Sequence, residues 1–182
     1  LYRKSSFLLD SLGTQVFSPQ VHISERPHLP RALGSSPFDD DGVATQDREV
    51  VEAGVLKGYF LSTYSARKLG MRTTGSAGGS HTLLVRPGKR GLVGLAALMG
   101  RGLLVTEVLG QGVNYVTGDY SRGASGYWVE NGEIRHPVQE ITIAGNLKDM
   151  LRDIVAVGSD VLVRGSKQVG SILLERMTIA GA

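Results

Sequence analysis

The chain contains no cysteine. That excludes a disulfide framework and thiolate chemistry. No apolar run approaches the roughly 20 residues that a membrane-crossing helix needs. There is no block of like charge either. Lysines and arginines alternate with acids, and the net charge is only +3. A solvated surface accounts for this pattern better than a nucleic-acid footprint does. Internal repeats and low-complexity tracts are missing too. The opening Leu-Tyr-Arg-Lys resembles neither a signal peptide nor a natural start. The expectation is the C-terminal part of a longer, cytoplasmic protein.

What is abundant is glycine, 25 of 182 residues. Each glycine raises the entropic cost of ordering unless a turn or a close approach requires it. So many of them point to strands joined by tight turns. Hydrophobic residues at 41% and charged residues at 20% are ordinary for a globular domain. The expected class is α+β, predominantly antiparallel β (sheet or barrel-like) with two or three short helices.

Residues 5–13 (SSFLLDSLG) present a serine cap, Leu8, Leu9 and Leu12 on one face, and Gly13 as a stop, which predicts a helix. Four of the six prolines fall in 18–38, an extended connector. Strands are predicted at Arg48–Glu52 and Val55–Thr63, turning at Ala53-Gly54. A helical turn follows at Ser65–Leu69, ending at Gly70. Residues 73–80 (TTGSAGGS) read as a flexible loop, and His81–Arg86 as a strand. Leu92, Leu95, Ala96 and Met99 recur at helical spacing, so 91–99 is a short helix. Leu103–Leu109 reads as a buried strand.

The strongest local signal is Asn131-Gly132 between Gly126–Glu130 and Glu133–Val138. A type I′ hairpin turn needs φ > 0 at both positions, which these residues tolerate. That register sets Glu130 against Glu133, Val129 against Ile134, Trp128 against Arg135, and Tyr127 against His136. Asn146 is a predicted N-cap with Asp149 in the first turn and Leu147, Met150, Leu151 and Ile154 on one apolar face. Gln168–Ile179 alternates as a last strand.

The chemistry-bearing residues form no strong motif. The histidines are His22, His28, His81 and His136, and no pair has HExxH spacing. His81 is the most prominent, since it follows a glycine-rich loop where backbone can approach a ligand. Asp39, Asp40 and Asp41 lack the spaced oxygens of a calcium loop and read as a solvated turn. Glu107, on an apolar strand, and Asp119, in the TGDYSRG turn, are the better acidic candidates. Asp119 has two readings, pairing with Arg122 or folding back on the turn backbone. GASG at 123–126 is not a GxSxG elbow, and no base is assigned to Ser125. The basic loop at 65–74 carries no Walker-type GK[ST], leaving anion binding as a minor alternative.

Six long phrases are collinear with one family: LYRKSSFLLDSLG (1–13), SSPFDDDGVATQ (35–46), YSARKLGMRTTGSAGG (64–79), MGRGLLVTEVLGQGVN (99–114), GDYSRGASGYWVENGEI (118–134) and EITIAGNLKDM (140–150). They resemble the TldD/PmbA metallopeptidase family, in its PmbA (TldE) branch. The resemblance implies a C-terminal β-rich domain over 21–182, with 1–20 a helical remnant and lead-in from a preceding half. It implies a two-subunit cytoplasmic bacterial protease that trims or degrades unfolded peptides, including a microcin precursor and an antitoxin. In that family the TldD subunit carries an HExxxH metal helix before this domain and adds a cysteine ligand from within it. The corresponding tail, 157–181, has no cysteine. Thr74-Gly75-Ser76-Ala77-Gly78-Gly79 stands where TldD has an arginine-bearing loop. Both departures imply the partner without the metal site: no catalytic and no metal residue in this chain, and a zinc-type metal in a TldD-type subunit.

For such a subunit, peptide-binding or interface residues are expected among His81, Glu107, Asp119, Tyr120, Arg122, Tyr127 and Trp128, with Tyr115 as a further aromatic. A sheet edge can hold an extended peptide by main-chain hydrogen bonds, and an obligate pair typically buries more than about 2,000 Å². The expected partners are a TldD-type subunit and unfolded peptides, with a homodimer when alone. No membrane partner is expected, and nucleic acid is disfavoured. Two alternatives remain: a metallopeptidase in its own right, built from His81 or His136 with Glu107 or Asp119, and a DNA gyrase modulator or nucleic-acid-associated regulator.

Overall fold

The computed structural model describes residues 1–181. Its elements in chain order are β1 (Ile23–Glu25), β2 (Arg48–Glu52), β3 (Val55–Leu56), α1 (Thr63–Leu69), β4 (Leu83–Val85), α2 (Leu92–Met99), β5 (Gly102–Leu109), β6 (Asp119–Glu130), β7 (Glu133–Asn146), α3 (Leu147–Arg152), β8 (Ile154–Val157), β9 (Leu162–Arg164), β10 (Lys167–Val169), β11 (Ile172–Leu174) and β12 (Thr178–Ala180). Three sheets result. The largest has strand order β3-β2-β1-β4-β10-β9, the second is β12-β7-β6-β5, and the third is the pair β11-β8. All pairings are antiparallel except β4 with β10. The class is α+β. Each sheet has two free ends, so none closes into a barrel.

Local sequence explains most of these elements. Ala53 (φ 48°) and Gly54 (φ 79°) turn β2 into β3, and Asn131 (φ 55°) and Gly132 (φ 76°) turn β6 into β7. Ser62 caps α1 by accepting from Ser65 N, and Gly70 closes it at φ 66°. Asn146 caps α3 through Lys148 N. Helix α2 ends at Gly100. The hairpin tip docks on this helix end, because Gly132 N donates to Gly100 O at 2.7 Å.

Two apolar cores hold the layers together. Val16, Val21, Val50, Val51, Leu56, Ile154 and Val157 form one, under the six-stranded sheet. Ala124, Ile141 and Ile143 form the other, with Leu103, Val105, Tyr120, Val138 and Met177 against them. Each fully buried aliphatic contributes roughly 1.5–3 kcal/mol.

Several expectations are corrected. Residues 5–13 form turns, not a helix. Asp10 sits at φ 56°, and Tyr59 Oη bridges Leu8 O and Ser11 N at 3.2 Å each, so tertiary contacts override the leucine spacing. The connector 18–38 contains β1, with Pro27 fully buried. The strand after Ala53-Gly54 stops at Leu56. Strand β5 is half-buried at first and exposed over its last four residues, because it is a sheet edge. The single strand predicted at 168–179 is three short ones, broken at Gly170, where a Cβ would overlap Gly158 O. In the long hairpin the register slips between Trp128 and Val129. Glu130 faces Glu133 and Val129 faces Ile134, but Trp128 faces His136 and Tyr127 faces Pro137. Arg135 therefore turns to Glu133 at 3.0 Å, and the guanidinium over the indole is that of Arg101, 5.6 Å away.

Candidate functional site

Two buried acids set the geometry around the loop 73–81. Glu25, 1% exposed, takes Arg48 Nε at 2.7 Å on one oxygen and His81 N at 2.8 Å on the other. Arg48 also donates to Tyr59 O at 2.9 Å and lies over the Phe60 ring. Asp39 accepts from Asp41 N, Val43 N and Ala77 N at 2.9–3.0 Å. Burial pushes its carboxyl up, but those three donors and the nearby His81 outweigh it and hold it below the ordinary 3.8. The acidic triplet is thus not a freely solvated turn. Asp41 Oδ2 accepts from Thr63 N at the start of α1, and Asp40 packs against Gly78.

The glycine-rich loop is accordingly pinned rather than loose. Thr74 N donates to Leu61 O at 3.1 Å and Leu61 N to Thr74 Oγ1 at 2.8 Å. His81 closes it, with Nε2 2.8 Å from Gly75 O. That contact requires the proton on Nε2, fixes the ring's orientation and leaves Nδ1 as the nitrogen with a free lone pair.

The other candidates lie on the four-stranded sheet. Asp119 begins β6 rather than sitting in a turn. It accepts from Thr117 Oγ1 at 2.6 Å and Asn146 Nδ2 at 3.0 Å, which together hold its carboxyl below 3.8. Arg122 does not pair with it. Its guanidinium donates to Gly110 O, while its buried Nε has no partner. Glu107 is exposed on edge strand β5. Tyr127 is exposed and Trp128 half-buried beneath Arg101. Tyr120 alone of the seven lines a cavity of about 510 Å³, enclosed by α2, β5 and the segment 171–177. The sheet brings Asp119, Tyr120 and Arg122 onto one strand end, whereas His81 lies in the loop that leads into β4 of the six-stranded sheet.

The histidines are held apart. His28 Nε2 lies 3.0 Å from Thr45 Oγ1, His22 Nδ1 accepts from Ala53 N, and His136 lies opposite Trp128. Among the described residues no three His, Cys, Asp or Glu converge as a metal would require. The donor set does not fit a metal centre.

A family model, the PmbA/TldA metallopeptidase C-terminal domain, matches residues 1–181. The chain belongs to the PmbA/TldD metallopeptidase family. The metalloprotease PmbA homolog of Haemophilus influenzae is 62% identical over all of this chain and 40% of its own length. The metalloprotease TldD homolog of the same organism is 28% identical over 85% of this chain and 34% of its own. The likeness is therefore to the PmbA side of the family. Among solved structures, a Thermotoga maritima protein described as a modulator of a DNA gyrase matches at TM-score 0.90 and 43% identity, covering 98% of this chain and 43% of that one. TldE from Thermococcus kodakarensis matches at TM-score 0.85 and 25% identity, covering 98% and 44%. The chain spans about 40% of the length of the PmbA relative.

Sequence reading missed Glu25, Arg48 and Arg101, and took the buried Asp39 for part of a solvated turn. Glu25 and Arg48 carried no clear signal: Glu25 stands between Ser24 and Arg26 and Arg48 between Asp47 and Glu49, on short strands of unclear period. Arg101 carried none, since its partner is set by a register slip.

Proposed function

We propose that this chain is the C-terminal domain of the non-catalytic subunit of a cytoplasmic TldD/PmbA-type metalloprotease. Its partner is a TldD-type subunit carrying a zinc-type metal. Its substrates are unfolded peptides, as in microcin-precursor maturation and antitoxin degradation. What carries the reading is the placement of the histidines within a metallopeptidase-family fold. His28 and His81 are each bonded within their own loops, and His136 lies on an exposed strand. A subunit so built acts through surfaces: it closes a chamber with its partner and offers sheet edges to an extended chain.

The deciding experiment is peptidase activity of the full-length protein with and without a TldD-type partner, with metal content measured on each sample. Activity and one metal only in the mixture support the reading. Stoichiometric zinc and cleavage in this protein alone would overturn it and favour a metallopeptidase in its own right. A second reading, a gyrase- or DNA-associated regulator, draws on the name of the Thermotoga relative. DNA binding with a steep salt slope would favour it.

A further inference from the structure

The loop 86–90 and strand β9 meet at one end of the six-stranded sheet. Gly88 N donates to Val157 O at 3.2 Å and Ser159 N to Arg90 O at 2.8 Å, stitching the loop to the chain that leads into β9. Arg86 and Pro87 share a cavity of about 370 Å³ with Val161 and Gln168. Strand β9 pairs with β10 on one side and ends the sheet on the other. Val161, Leu162 and Val163 are 40%, 65% and 60% exposed. The strand is only three residues long and carries Arg164, which limits promiscuous pairing, but it has no proline and its outer edge offers main-chain groups to another strand.

The charge around this edge is predominantly positive. Arg86, Lys89, Arg90 and Arg164 are exposed, and none has a carboxylate in ion-pair range among the described residues. Lys167, opposite Arg164, directs its ammonium to the Ser80 and Ser166 hydroxyls. Two acids lie nearby, and only Glu49 is neutralised by an ion pair. Asp160 accepts from Ser171 Oγ at 2.6 Å, and Glu49 pairs with Arg26.

We propose that this edge binds an extended acidic peptide, which adds as a strand beside β9 with its aliphatic side chains on Val161–Val163 and its carboxylates on Arg86, Lys89, Arg90 and Arg164. The inference rests on the peptide-handling reading above and names the class of peptide. Main-chain pairing supplies sequence-tolerant binding, and the cations supply selection for acidic chains. Nucleic acid fits the same charge less well. Single strands bind on successive aromatic stacking platforms, and the adjoining cavity has no Phe, Tyr or Trp and a single histidine, His22.

The test uses the full-length protein and fluorescence polarisation. The probes are a short labelled peptide of alternating Glu and Val, its Gln/Val counterpart, the Glu/Val peptide N-methylated on alternate amides, and a single-stranded oligonucleotide. The Glu/Val peptide is expected to bind at least about tenfold more tightly than Gln/Val, and to lose that advantage in Arg86→Glu/Arg90→Glu. Binding is expected to survive the remote reversal Arg135→Glu and to be lost on N-methylation. Equal binding of the two peptides, indifference to N-methylation, or tighter binding of the oligonucleotide would each overturn the proposal. Cleavage with a TldD-type partner separates the two levels. A pair that cleaves without acidic preference sinks this inference alone, and a pair with no cleavage sinks the functional reading beneath it.

Discussion

Glu25 and Arg48 meet at 2.7 Å across β1 and β2, and the same carboxylate receives the amide of His81. One buried acid thus ties two strands to the end of the glycine-rich loop. Removing one partner of a buried pair leaves the other charge uncompensated, which costs on the order of 3 kcal/mol. Arg48→Met is expected to lower the urea midpoint of the full-length protein accordingly. It also leaves one Glu25 oxygen without a donor, so the His81 amide should exchange faster with solvent. An unchanged midpoint would show that Arg48 acts only as surface charge.

Asp39 should make stability fall at low pH. Its folded pKa is lowered relative to 3.8, so the unfolded chain takes up the proton first as pH drops. The contribution is fully present above about pH 4 and is lost as pH falls through the folded pKa. In Asp39→Asn an amide NH₂ would face a backbone N–H donor, at a cost of roughly 1–3 kcal/mol at neutral pH. The gap between wild type and variant, measured by urea unfolding, is expected to narrow from pH 4 downward. A constant gap would place the pH dependence elsewhere.

Much of the fold was legible because short-range chemistry decided it. Asn131-Gly132, Ala53-Gly54, Ser62 with Gly70, and the Asn146 cap all act within a few residues of themselves. What was not legible was set at long range. The 5–13 segment satisfies helix rules, but Tyr59 and Tyr115 capture its backbone. β1 is three residues among prolines and exists because β2 and β4 flank it. Of the candidate site, neither reading of Asp119 describes its carboxylate, which meets neither Arg122 nor the turn backbone but accepts from the Thr117 and Asn146 side chains at a strand end. The sequence could not show that Gly75 O accepts from Nε2 of His81 and fixes its ring.

The hairpin tip links two elements. Gly132 has φ 76°, and a Cβ there would come 2.9 Å from Ala97 Cα of α2. Gly132→Ala combines left-handed strain of about 1–2 kcal/mol with displacement of the tip from α2. Thermal unfolding of the full-length protein is expected to drop by several degrees. Asn131→Ala adds no atoms at its left-handed position (φ 55°) and should cost less. If the two variants cost the same, the tip does not depend on its seat against the helix.

The last prediction separates two registers of the same hairpin. Regular pairing from the Asn131-Gly132 turn puts Arg135 opposite Trp128. The slip between Trp128 and Val129 instead leaves the indole facing His136 and beneath Arg101. Trp128 is the chain's only tryptophan, so its fluorescence reports this contact in the isolated domain sequence without interference. Arg101→Ala is expected to shift the emission and to cost roughly 0.5–1 kcal/mol, the value of an exposed cation over an aromatic face. Arg135→Ala removes only an exposed pair with Glu133, so it should leave the emission in place and stability within about 0.5 kcal/mol. An emission change on Arg135→Ala and none on Arg101→Ala would mean that the regular register holds and that the bulge is absent.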